Sequence, residues 1–146
     1  MRGLLADVNV QGHMGYLRFL LTHLDLWPVL EELKIELVTF GDLALPRDLD
    51  DRSIWNRCQQ DGWLLFTENR NDDGNDSLHA TLTDSWRVGH LPVLTLANKN
   101  HFEHRRAYAE QVAVDVAELV FGVCHGEYRD QPRIYVPREA SRVPTR

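Results

Sequence analysis

Four short apolar runs, Leu4 to Val10, Glu36 to Phe40, Trp63 to Thr67 and Pro92 to Leu96, alternate along this chain with stretches whose apolar residues return at helical spacing. That alternation leaves few folds open. A strand that is apolar on both faces has to be covered on both, and helices between the strands do the covering. Parallel strands need crossover connections, and right-handed crossovers bring the strand exits to one side. The pattern predicts one α/β unit, a three-layer sandwich in which a mainly parallel sheet of about four or five strands lies between helices. At 146 residues and 43% hydrophobic, the chain holds enough for one core and too little for two.

The helical stretches carry their own punctuation. Tyr16, Leu17, Leu20, Leu21 and Leu24 share one face of a first helix, and Pro28 breaks or restarts it into a short second one ending near Leu33. Asp50 and Asp51 open a helix in which Ile54, Trp55 and Cys58 share a face, with Gly62 as its stop. Ser77 suits the cap of a helix running to about Trp86. Asn98 or Asn100 suits the cap of one long helix through Phe121, with Ala109, Val112, Val116, Leu119 and Val120 as the buried stripe. Ile134 to Val136, between prolines, reads as an edge strand. The expected organisation is an α/β domain over 1–128 followed by a basic segment over 129–146. The stretch from Trp27 to Leu49 suggests no function.

The net charge of −6 argues against a protein that holds nucleic acid merely by neutralising many phosphates. The charge is uneven, however: Arg129, Arg133, Arg138, Arg142 and Arg146 stand against only Asp130 and Glu139, so the body is more acidic than the total. Cys58 and Cys124 are far apart and lack metal-ligand spacing, which points to buried thiols. No apolar run reaches the length of a membrane span, and Asp7 follows the first residues too soon for a signal peptide, so the expected location is the cytoplasm.

The side chains with chemistry gather where the strands end. Asp7 interrupts the first apolar run, at a position where a carboxylate is costly unless paired. Asp51 opens a helix, and capping of free backbone N–H groups explains it equally well. Glu68, Asp72 and Asp73 follow the apolar run Trp63 to Thr67 directly, in a segment too polar to be core. Carboxylates gathered at one sheet edge repel one another unless a cation joins them. Mg²⁺ or Mn²⁺ suits such oxygen ligands and activates water for phosphodiester cleavage.

Two segments carry a family likeness. The run Leu4, Leu5, Ala6, Asp7, Val8, Asn9 resembles the opening of small bacterial PIN-like domains, an apolar strand followed by an Asp-Glu-Asn-like triplet. Asp51, Ile54, Cys58, Gly62, the strand Trp63 to Phe66 and Thr67 resemble, in order and spacing, that family's next helix and strand. Together they cover about the first half of the chain. The resemblance implies a PIN-like fold with a metal held at the carboxyl edge, and a ribonuclease related to the toxins of toxin–antitoxin pairs. It thus implies RNA as substrate, an antitoxin-like protein partner and pairing into a homodimer. Asp7, Asp51 and Glu68 are then the catalytic set, Asp72 and Asp73 further metal ligands, and Asn9, Thr67, Asn69 and Asn71 supporting residues. The chain departs from the family where an Asp-x-Asp-like pair is usual, for Asn69 and Asn71 stand there and bring no charge. Val8 likewise replaces the middle acid of the first triplet.

Two other functions compete with the nuclease. A PIN-like domain that has lost its acids at 69 and 71 would serve as an interaction or nucleic-acid-binding module. A signalling receiver is the other, since Pro92 to Lys99 resembles the receiver strand with its switch threonine and nearby lysine. Receivers need a phosphorylatable Asp after the middle strand, where Thr67, Glu68 and Asn69 stand here. His101 and His104 lack a third ligand and read as a polar helix end, and the four tryptophans read as packing.

Overall fold

The computed structural model describes residues 1–68 and 77–138. Strand β1 (Gly3–Ala6) leads through a 3-10 helix (Val8–His13) into α1 (Met14–His23) and α2 (Trp27–Glu32). Then come β2 (Glu36–Val38), α3 (Asp51–Asp61), β3 (Trp63–Glu68) and α4 (Leu78–Ser85). The chain continues through β4 (Val93–Leu96), α5 (Lys99–His104), α6 (Arg106–Cys124) and β5 (Arg133–Val136). The strands form one five-stranded sheet in the order β2-β1-β3-β4-β5. Every pairing in it is parallel.

Strand residues alternate between two apolar layers, as the pleat requires. Leu4, Leu64, Phe66, Leu94 and Leu96 point to one face and are buried there with Leu17, Leu20 and Leu21 of α1, Phe102 of α5 and Val112, Val116 and Leu119 of α6. Leu5, Trp63, Leu65 and Val93 point to the other, against Ile54, Trp55 and Cys58 of α3 and Leu78 of α4. The result is the three-layer sandwich. Each fully buried leucine contributes roughly 1.5–3 kcal/mol of transfer free energy, so the larger layer dominates stability. Gly3 is required where β1 meets β2, because a Cβ there would collide with the Glu36 backbone. Gly62 ends α3 in the left-handed region at φ 84°, donating its N–H to the Cys58 carbonyl.

The connection from β1 to β2 and that from β4 to β5 run over the same face but step across the sheet in opposite directions. Those two crossovers therefore have opposite hands, a departure from the uniform right-handedness expected of parallel sheets. In the packing, α6 lies beside α1 and shares one apolar layer with Leu64, Phe66 and Leu94.

Two local expectations change. The first strand ends at Ala6, because the Asp7 carboxylate accepts from the N–H of Val8 and starts a 3-10 helix where extended chain to Val10 was expected. Asn98 caps only the short α5, through the N–H of His101, and extended backbone at Arg105 separates α5 from α6. The basic segment carries the expected edge strand, β5, which pairs with β4 along its length. The stretch from Trp27 to Leu49 supplies α2, the edge strand β2 and Phe40, which plugs the α3 layer. Among the described residues no helix is long and apolar enough to cross a membrane.

Candidate functional site at the carboxyl edge of the sheet

In this strand order the chain leaves β1 towards the α1 face, β3 towards the α4 face and β4 back towards the α5 face. Neighbouring connections diverge on both sides of β3, and such divergence opens the crevice where doubly wound sheets take their ligands. Asp7 follows β1 and Glu68 ends β3, so both acids flank the first of these crevices.

Asp7 is only 8% exposed. Its Oδ2 accepts from the hydroxyl of the fully buried Thr67 at 2.9 Å, and its Oδ1 from the Val8 N–H at 2.7 Å. Asp7 and Thr67 thus face the α3 side together. The same carboxylate is felt by Cys58 of α3: burial pushes that thiol up to about 12, and the nearby charge of Asp7 adds to the rise. A thiol so placed stays protonated and inert.

Asp51 does not cap its own helix. Asp50 does that, accepting from the Ser53 N–H at 2.7 Å, a bond that holds its carboxyl below the usual range. The Asp51 Oδ2 instead accepts from the Leu78 N–H at 3.0 Å, so one carboxylate joins the starts of α3 and α4 at the carboxyl edge. Ser77 completes that helix start by accepting from the Ala80 N–H.

Glu68 follows Thr67 and, by strand alternation, turns to the opposite face. There its Oε2 lies 3.2 Å from Lys99 Nζ at the beginning of α5. Lys99 also reaches the backbone carbonyl of Asn9 at 3.5 Å, so Asn9 takes part through its main chain, with its side chain exposed. Asn69, Asn71, Asp72 and Asp73 lie outside the described residues. Among the described residues no three His, Cys, Asp or Glu side chains stand together as a metal-holding group.

A cavity of about 220 Å³ lies at the far, amino edge, lined by Gln59, Gly62, His90, Leu91 and Arg129 among others. In its lining Gln59 bonds both the N–H and the carbonyl of Leu91 at 2.9 Å, as a neighbouring strand would, whereas the Nε of Arg129 is buried without a hydrogen-bond partner.

Two residues at this edge escape a reading for nuclease chemistry. Lys99 has only its place after a strand to mark it. Thr95 is a β-branched residue in a strand, which needs no further reason. No family model matches the chain, and neither a curated protein nor a solved structure does.

Proposed function

We propose that this chain is a divalent-metal-dependent nuclease, an endoribonuclease of the PIN-like kind, acting at the crevice between β1 and β3. Asp7 carries the reading: it is a nearly buried carboxylate, oriented by a buried threonine, at the point where such a sheet receives ligands. The donor chemistry suits a hard cation, since a carboxylate oxygen is the ligand that such ions prefer. Asp7, Asp51 and Glu68, with Asp72 and Asp73, are the residues that would hold Mg²⁺ or Mn²⁺. A bound ion of that class supplies an activated water and offsets charge on the leaving oxygen of a phosphodiester.

The chain's own groups prepare the site. Thr67 fixes the rotation of the Asp7 carboxylate by donating to Oδ2. Lys99 holds Glu68 and brings a positive charge to an acidic edge, where a phosphate of single-stranded RNA would otherwise be repelled. Self-pairing and an antitoxin-like protein partner belong to the same reading.

The test is cleavage of mixed single-stranded RNA in Mn²⁺, in EDTA and with Asp7→Asn. Cleavage in Mn²⁺ alone, lost in the variant, supports the nuclease; no cleavage in any of the three contradicts it. A non-catalytic RNA-binding or interaction module is the second reading, favoured by the commitment of Asp51 to Leu78 and of Glu68 to Lys99. RNA retained but uncut would favour it. The strand order also fits receivers, and labelling by a small phosphodonor would favour that class.

A further inference from the structure

The cavity at the amino edge is set apart by a surplus of hydrogen-bond donors in its lining. The turn that follows α4 and the loop that precedes β5 clasp each other there: the Gly89 N–H donates to the Arg129 carbonyl at 2.9 Å, and Arg129 Nη1 donates to the Gly89 carbonyl at 3.2 Å. Gly89 holds its part of the clasp at φ 103°, in the left-handed region that favours glycine.

The carbonyls of Gly62, Gly89 and Leu91 in this lining each accept a hydrogen bond already, from the Arg2 N–H, from Arg129 and from the Gln59 amide. Donors are left over. Gln59 places one of its two amide hydrogens on Leu91. His90 Nδ1 accepts from the Arg87 N–H at 2.9 Å, so a neutral ring carries its proton on Nε2, which is left to donate. Trp55 packs edge-on against that ring, with 5.2 Å between centroids. Arg129 engages Nη1, while its Nε is buried without a hydrogen-bond partner.

The charge in the lining has one sign. Among the described residues it includes Arg129 and no aspartate or glutamate. Asp61, beside Gly62 in the chain, is ion-paired with Arg57, and Asp130, beside Arg129, is exposed. A buried guanidinium N–H left unpaired is costly, and a ligand that only accepts hydrogen bonds removes that cost. With Nη1 tied to Gly89, the Nε–Nη2 edge of the guanidinium is the pair of parallel donors that carboxylates and phosphates take side by side. Size restricts the ligand further. The volume of about 220 Å³ is below the roughly 300–1,000 Å³ of pockets that enclose drug-sized ligands, so the space suits a compact group.

We propose that this cavity is a binding site for a small oxyanion, a phosphate or a short carboxylate, held by Arg129 with His90 and Gln59 as further donors. It lies at the edge of the sheet opposite Asp7 and does not depend on the metal reading.

Titration of the full chain with inorganic phosphate, with acetate and with chloride at matched ionic strength, followed by NMR, tests the site. Phosphate or acetate at millimolar concentration shifts the Arg129 Nε–H and Gly89 amide signals saturably, while chloride leaves them in place. Tighter binding of phosphate assigns the site to phosphate groups and tighter binding of acetate to carboxylates; both support it. Arg129→Gln weakens binding of the preferred anion by about tenfold or more, and that anion raises the unfolding temperature of the parent but not of the variant. No saturable shift with either oxyanion, or an equal shift in chloride, overturns the proposal, and so does parent-like binding by Arg129→Gln. The titration of the parent decides the matter even if the variant folds poorly.

Discussion

Asp7 and Asp115 are both buried carboxylates, 8% and 5% exposed, and they do different work. Asp115 sits within α6 and closes a structural joint: Gln111 donates to Oδ1 at 2.9 Å, and the backbone N–H of Arg138, just beyond β5, donates to Oδ2 at 2.6 Å. It ties the end of the last strand to the longest helix. Asp7 is bonded by Val8 and Thr67 at an edge where neighbouring connections part. Burial of a charge therefore identifies no function by itself; what separates the two is what lies beyond the carboxylate. Asp115 meets the chain's own backbone, and Asp7 stands at the edge where the connections after β1 and β3 part.

The comparison is broken or sharpened by substitution. The largest effect belongs to Asp7→Asn, which lowers Mn²⁺ affinity by about 100-fold. It leaves the unfolding temperature nearly unchanged, because an amide can still accept from Val8 and donate to the Thr67 hydroxyl. Asp115→Ala does the reverse. Leaving the Arg138 N–H unpaired lowers stability in urea by about 2–3 kcal/mol and leaves Mn²⁺ affinity as it was; loss of affinity there would erase the distinction. Ser77→Ala removes the cap of α4 next to the Asp51 bond and lowers stability by about 1 kcal/mol.

The smallest effect is expected at an exposed carboxylate, Glu103, whose bond with His13 at 2.7 Å holds its pKa below the ordinary glutamate value. A lowered folded-state pKa means the pair's contribution is complete above the ordinary value and is lost as pH falls through the lower one. His13→Ala returns the Glu103 carboxyl titration, followed by NMR, to the ordinary range.

Asp7 was legible in the sequence because it breaks an apolar run, and a strand buried on both faces makes such a break conspicuous. Asp115 was not, since a helix admits a polar residue beside its apolar stripe, and its burial depends on β5 arriving from elsewhere. The alternation of strands and helices was legible for the same reason as Asp7. The pairing of β1 with β3 was not, for strand order is decided by how helices cover both faces. The break at Arg105 carries neither glycine nor proline, so nothing local announces it. Asp51 was legible as a helix-start residue, but its partner on α4 lies 27 positions away and comes only from the packing of the two helices.

The most direct test of the account is whether Asp7 is the centre of a cation site. Calorimetric titration of Mn²⁺ into the metal-free protein and into Asp7→Asn decides it. The account predicts saturable binding by the parent below millimolar concentration and its loss in the variant. Equal binding by both proteins, or none by either at millimolar metal, would contradict it.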